Sequence, residues 1–215
     1  MGNYQDIVEI GVFDNETILF EGQFPIPEGI SYNSYVIIDE KIAVMDSVDV
    51  RFADQWLSNL EDALQGKTPD YLVIQHMEPD HSGSIQQFIQ TYPQTKLVGN
   101  TKTFTMLKNY FGSDYSENQL MVKNGDTLPL GIRTLTFVFA PMVHWPEVMM
   151  TYDSASKILF SADAFGTFGP RETTTSWIDE ARRYYFGIVA PYGKQVQALF
   201  KKLTAYDIQA LYPLH

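Results

Sequence analysis

Three features of the sequence predict an α/β fold in which two sheets pack face to face with helices outside. Short β-branched and aromatic runs alternate with amphipathic segments in the first half, and the same alternation returns in the second. The 215 residues are also 45% hydrophobic and 14% aromatic, enough to bury a real core yet few enough for one domain, so residues 1–215 are read as a single domain.

Taken in order, the runs at 7–13, 17–21, 34–38 and 42–45 are separated by turn signals such as Asp14-Asn15-Glu16 and Asp39-Glu40-Lys41, and read as hairpin-connected strands. From Phe52 the period changes. Phe52, Trp56, Leu57, Leu60 and Leu64 share one helical face, and Gly66 stops it. A strand at 71–74, a helix at 84–92 carrying Ile85, Phe88, Ile89 and Tyr92, and a strand at 96–98 form a β-α-β unit. Pro93 closes that helix. Thr101 is the expected cap of a helix with Phe104, Leu107, Tyr110 and Phe111 on its face, ended by Gly112. Strands follow at 120–122, 134–140, 148–152 and 158–161, the last two flanking the turn Asp153-Ser154-Ala155-Ser156. Ser176-Trp177-Ile178-Asp179 has the form of a capping box for a helix running to about Ile188. A further helix at 194–203, apolar at Val196, Leu199, Phe200 and Leu203, precedes a final strand at 208–212.

The bulk chemistry excludes whole classes of function. Fifteen basic against 26 acidic residues give a net charge of −11, which repels nucleic acid and anionic lipid. The chain has no cysteine, so disulfides, thiolate nucleophiles and iron–sulfur clusters are excluded, and any metal must bind through nitrogen and oxygen. No apolar run approaches the roughly 20 residues of a membrane span, and Met-Gly-Asn-Tyr-Gln-Asp has no secretory character, so a cytoplasmic location is expected.

The densest polar cluster follows the strand at 71–74: His76-Met77-Glu78-Pro79-Asp80-His81, then Ser82-Gly83-Ser84. His144 lies in Pro141-Met142-Val143-His144-Trp145-Pro146-Glu147 after another strand, Asp163 in Ser161-Ala162-Asp163-Ala164-Phe165-Gly166 after a third, and His215 after the last. A lone histidine beside a strand is more often an ordinary hydrogen-bonded residue than a ligand. Here, however, all four histidines of the chain fall in strand-end loops beside acids or turn glycines, where α/β proteins build their sites, and this joint pattern points to a shared metal site.

These motifs resemble those of the flavodiiron proteins, also called A-type flavoproteins. The likeness runs from Glu28-Gly29-Ile30-Ser31-Tyr32-Asn33-Ser34-Tyr35 through His76 to Ser84, His144-Trp145-Pro146 and Phe160-Ser161-Ala162-Asp163-Ala164-Phe165-Gly166 to Tyr184-Tyr185. It implies a metallo-β-lactamase-like fold, a four-layer αβ/βα sandwich. It also implies two irons, one held by His76, Glu78 and His144, the other by Asp80, His81 and His215, bridged by Asp163 and an oxo or hydroxo group. Three carboxylates and one hydroxide would neutralise two ferrous ions, and Glu78 stands where hydrolases of this fold carry His, which hardens the donor set toward iron. Tyr184, Tyr185, Glu28 and Trp145 are the residues the resemblance suggests around those ligands. Glu28 occupies a position where many relatives have His.

The resemblance implies dioxygen or nitric oxide as the ligand. Family members continue into a flavodoxin-like domain carrying FMN, whereas this sequence stops at His215. FMN is therefore not expected on this chain, and electrons would come from an external flavin or rubredoxin-like donor. The family's head-to-tail pairing also suggests a homodimer. An oxygen-binding sensor, stabilising a peroxo species and signalling to a partner, is the alternative to a reductase. A dizinc hydrolase is a second alternative that Glu78 disfavours.

Overall fold

The computed structural model describes residues 6–113, 115–170 and 177–215. Its strands are β1 (Ile7–Glu9), β2 (Val12–Asp14), β3 (Leu19–Phe20), β4 (Phe24–Pro25), β5 (Ile30–Tyr32), β6 (Tyr35–Ile37), β7 (Ala43–Met45), β8 (Tyr71–Val73), β9 (Lys96–Gly99), β10 (Gln119–Met121), β11 (Thr127–Pro129), β12 (Thr134–Phe139), β13 (Met149–Asp153), β14 (Ile158–Phe160) and β15 (Ala210–Tyr212). The helices are α1 (Ala53–Leu64), α2 (Pro79–Ser82), α3 (Ile85–Thr91), α4 (Thr101–Phe111), α5 (Trp177–Tyr184) and α6 (Gly193–Leu203). One sheet has the order β1-β6-β7-β8-β9-β10 and the other β11-β12-β13-β14-β15.

Strand residues sort by period two into two cores. In β6, β7 and β8 the residues Ile37, Met45 and Val73 point to the layer between the sheets, where they meet Leu135, Phe137 and Phe160 of the second sheet. Val36, Val44 and Leu72 point the other way, into the core that holds Trp56, Leu60, Phe88 and Leu107 of the helices. On the far side Met150 and Leu159 join the core that includes Val196 and Leu199 of α6. Three-residue strands buried throughout are what a sheet covered on both faces requires. The result is the four-layer metallo-β-lactamase-like sandwich that the motifs implied.

Several elements depart from the sequence reading. The run at 7–13 is two strands in different sheets, because β1 pairs with β6 while β2 pairs with β5. Gly11 makes the switch: a Cβ there would stand 2.5 Å from the Tyr32 carbonyl oxygen. Of the 17–21 run only Leu19–Phe20 is extended, paired with Phe24–Pro25 in a small hairpin. β5 and β11 were not expected, the first being uniformly buried and the second a short edge strand ending in proline. The cap of α4 is Asn100, whose side chain accepts the N–H groups of Lys102 and Thr103 at 2.9 and 3.2 Å, and Thr101 is the first helical residue. The capping-box Ser176 lies outside the described residues. Beyond Tyr184 the regular helix does not continue to Ile188 but passes into a π turn, Tyr185–Val189, and a 3-10 turn, Ala190–Tyr192.

β7, β8 and β9 run parallel, as do β14 and β15, while β12 lies two antiparallel steps from β14. The carboxyl ends of β7, β8, β12, β14 and β15 therefore open on the same edge of the sandwich. The loops leaving them carry every histidine. Among the described residues no helix is long and apolar enough to cross a membrane.

Candidate metal centre

The loop after β8 is shaped by hydrogen bonds that leave its side chains free to face inward. Asp46, at the end of β7 with φ of 56°, accepts the backbone N–H of Gln75 at 2.7 Å and of His76 at 3.2 Å, and its other oxygen accepts from Gln75 Nε2 at 2.8 Å. Burial pushes Asp46 up to about 6 against these hydrogen bonds. Pro79 opens α2 at a position where its missing N–H costs nothing. Ser47 Oγ donates to the His81 carbonyl at 2.7 Å, fixing the end of that turn. Gly83 allows the turn to pack closely, since a Cβ there would lie 2.6 Å from Pro79 O and 2.8 Å from Val50 N.

Seven donor side chains converge from four loops. They form two groups whose candidate donor atoms lie within 4.8 Å of one another: His76, Glu78, His144 and Asp163, and Asp80, His81 and His215. His76 Nε2 stands 3.3 Å from His144 Nε2 and 3.2 Å from Glu78 Oε2. In the second group His81 Nε2 is 2.9 Å from His215 Nε2 and 3.4 Å from Asp80 Oδ2. Asp163 is shared. Its Oδ2 lies 3.1 Å from His144 Nε2 and 3.6 Å from His76 Nε2, and its Oδ1 lies 3.1 Å from His81 Nε2 and 3.9 Å from His215 Nε2.

The donor set fits metal cations. His76 Nδ1 donates to Glu147 Oε1 at 2.8 Å and His215 Nδ1 to the Ser31 carbonyl at 2.8 Å, which leaves Nε2 of each ring facing inward as the atom a metal would take. Lone pairs converging at 2.9–3.3 Å repel unless a proton or a metal lies between them. Neither oxygen of Asp80, nor Oδ1 of Asp163, takes a hydrogen bond although all are buried, and such atoms ordinarily have partners. Burial pushes His76 down, but the Asp163 carboxylate, then Glu147 and Glu78, outweigh it and hold the ring well above the usual imidazole range. Burial raises Asp163, yet the facing His76 and His81 hold it well below the usual carboxylate range.

The surrounding residues divide unevenly. Trp145 lays its ring edge-on to His76 at 5.4 Å between centroids and stands 6.1 Å from His144. Tyr184 is fully buried, 5.5 Å from the His215 ring, and its hydroxyl has no hydrogen-bond partner. Tyr185 is half-buried and packs on Phe186. Glu28 is exposed on the approach to β5, whereas Glu21, at the turn of the β3–β4 hairpin with φ of 49°, reaches the Glu78 carboxyl. With Glu78, His144, Trp145, Ile188 and Tyr192 it lines a cavity of about 250 Å³ that opens on the cluster. The residues that sequence reasoning missed are thus Asp46, Glu147 and Glu21. Only Glu147 had a signal, its place two residues after Trp145 in the His144 loop.

Comparison with known proteins agrees with this geometry. The profile of the family described as ODP family beta lactamase matches residues 30–215. The chain is 35% identical over 209 residues to the anaerobic nitric oxide reductase flavorubredoxin of Aliivibrio fischeri, covering 93% of this chain and 42% of that protein. Among solved structures it is similar to the flavodiiron protein of Giardia intestinalis (TM-score 0.90, 29% identity, 98% of this chain and 53% of that one). It is likewise similar to the rubredoxin oxygen:oxidoreductase of Desulfovibrio gigas (TM-score 0.89, 29% identity, 97% and 54%). The chain thus spans about half the length of these relatives.

Proposed function

The chain belongs to the ODP beta lactamase family, with the fold of the flavodiiron core, and from that premise we propose that it is a non-haem diiron domain that binds and reduces dioxygen or nitric oxide. One observation carries the reading: the two oxygens of Asp163 are divided between two histidine–carboxylate groups, as a bridge between two metals requires. His76, Glu78 and His144 would hold one iron and Asp80, His81 and His215 the other. Two metals that share a bridging carboxylate can bind a small molecule between them. Bound there, a ferrous pair supplies two electrons to a diatomic ligand. The names of the similar proteins support both nitric oxide and dioxygen as substrate, and rubredoxin as the class of donor.

The protein's own residues prepare the reaction. The cavity lined by Glu21, Glu78, His144, Trp145, Ile188 and Tyr192 gives a small neutral molecule a way in to the cluster. Burial, then the charges of Asp163, Glu78 and Asp80, hold the Tyr184 hydroxyl well above its ordinary range. It therefore keeps its proton at neutral pH and, facing Asp163, can offer it in a hydrogen bond within the cluster. Full reduction of dioxygen to water takes four electrons, so two must arrive from a donor outside the cluster.

The test is anaerobic loading with ferrous iron followed by oxygen-electrode measurement with a reduced rubredoxin or flavin donor. Two irons per chain and sustained oxygen or nitric oxide consumption are expected. A single stoichiometric uptake of oxygen, with no turnover at any donor concentration, would replace the reductase reading with that of an oxygen-binding sensor. Stoichiometric zinc without oxygen chemistry would replace both with a hydrolase.

A further inference from the structure

The two halves of the cluster carry equal charge in the side chains that face inward, since each has two imidazoles, one carboxylate of its own and a share of Asp163. Behind those side chains the halves differ. His76 Nδ1 is held by Glu147 Oε1, which also accepts the Met77 N–H at 2.8 Å. Glu147 is buried, its second oxygen has no partner, and its backbone carbonyl is pinned by Asn100 Nδ2 at 2.6 Å. The carboxyl of Glu21 reaches Glu78 on the same side. Glu147 therefore stands behind the half formed by His76, Glu78 and His144, and Glu21 meets Glu78 from the cavity side.

In the other half neither outer ring nitrogen has an acid partner. His215 Nδ1 donates to a backbone carbonyl, that of Ser31, and His81 Nδ1 has no hydrogen-bond partner. Around His215 pack the rings of Phe20, Tyr32 and Tyr184, at 5.2, 5.8 and 5.5 Å. Asp46 does not separate the halves, because it bonds the backbone of His76 and also acts on His81. An anionic partner on the outer nitrogen of a ligating imidazole makes that ring a stronger donor, and nearby carboxylates favour added positive charge.

We infer that Glu147 is a positioning residue that makes the two irons unequal, so that the iron held by His76, Glu78 and His144 is the one oxidised first while its neighbour stays ferrous. The inference rests on the two-iron reading. In a stepwise titration each step passes one electron from one iron to ferricyanide, giving ferrocyanide, and no bond in the protein forms or breaks. Replacing Glu147 by Gln keeps the shape and removes the charge. It should weaken the first oxidation about tenfold, a rise of ~59 mV in the first midpoint, and move the second midpoint less. E147D should restore the wild-type value.

The experiment is ferricyanide titration of the anaerobically iron-loaded wild type, E147Q, E147D and E21Q, followed by Mössbauer and electron paramagnetic resonance spectroscopy. Glu21 lies on a surface hairpin and its carboxyl is hydrogen-bonded to that of Glu78, which takes a proton between them, so E21Q keeps that hydrogen bond and serves as the control, with a first midpoint that should move less than in E147Q. The inference is overturned if E147Q leaves the first midpoint unchanged, or if the second midpoint moves as much or more. A wild type that takes up fewer than two irons overturns the two-iron reading itself, which the metal content reports before any midpoint is measured.

Discussion

Asp163 concentrates the chemistry of the cluster in one side chain. It is fully buried, and each of its oxygens faces a different pair of imidazoles. Asp163→Asn replaces one of those oxygens by an NH2 group and removes the shared charge. The expected outcome is a fall from two irons per chain to one or none, read by elemental analysis after anaerobic loading, with wild-type circular dichroism; retention of two irons would rule out the bridging role. The histidines and Asp163 were legible in the sequence because histidine is rare here and each sits directly after a strand. Glu147, Asp46 and Glu21 were not, because the chain has 26 acidic residues and most acids in loops are solvated. What marks Glu147 and Asp46 is burial and a hydrogen-bond partner far away in sequence, as with Glu147 and His76, 71 residues apart, whereas Glu21 is exposed. Glu28 and Glu21 look alike in the sequence, and it is the fold of the β3–β4 hairpin that brings Glu21 to the cavity beside Glu78.

At the scale of elements, α4 links fold stability to the metal loops. Asn100 caps its first turn through Oδ1 and, through Nδ2, holds the carbonyl of Glu147. Asn100→Ala should cost about 1–2 kcal/mol in urea unfolding, the usual range for a lost cap. Because the same side chain anchors the loop behind His76, iron binding should weaken along with stability. A cap loss that left iron affinity unchanged would show that the Glu147 contact is incidental. Gly29 holds the other side of the site, with φ of 75° and room for no Cβ, which would fall 2.5 Å from Asp14 O. Gly29→Ala should therefore destabilise by roughly 2–4 kcal/mol through backbone strain and the clash together. The long helices and the strands from β6 onward, β11 excepted, were legible because their apolar periods are long or end at clear breakers. The first 30 residues were harder to read. There the strands are two or three residues long, and a single close approach at Gly11 decides which sheet each one joins.

For the whole molecule, the cluster sets stability and metal affinity against each other as pH changes. Burial lowers His144, but hydrogen bonds to Asp163 and Glu78 outweigh it and raise the ring to about 9 in the metal-free chain. The folded value thus lies above the unfolded 6.5. The protonated ring stabilises the metal-free fold fully below about pH 6.5, and that contribution is lost as pH rises through about 9. Over this window of about 2.5 pH units His144 alone accounts for roughly 3 kcal/mol, at ~1.4 kcal/mol per unit. Asp163 contributes no slope there, because its depressed value keeps it ionised throughout. Metal binding runs the other way, since a ligating imidazole must first lose its proton. Metal-free protein should therefore melt at a lower temperature at pH 9 than at pH 6.5, while protein saturated with a divalent cation melts at nearly the same temperature. The gap between the two forms widens with pH, and calorimetry of metal-free and zinc-saturated protein at the two pH values measures it without redox chemistry. A gap that stayed constant would mean that His76, His81 and His144 are not the groups the metal displaces protons from, and the convergence of their Nε2 atoms would then serve packing alone.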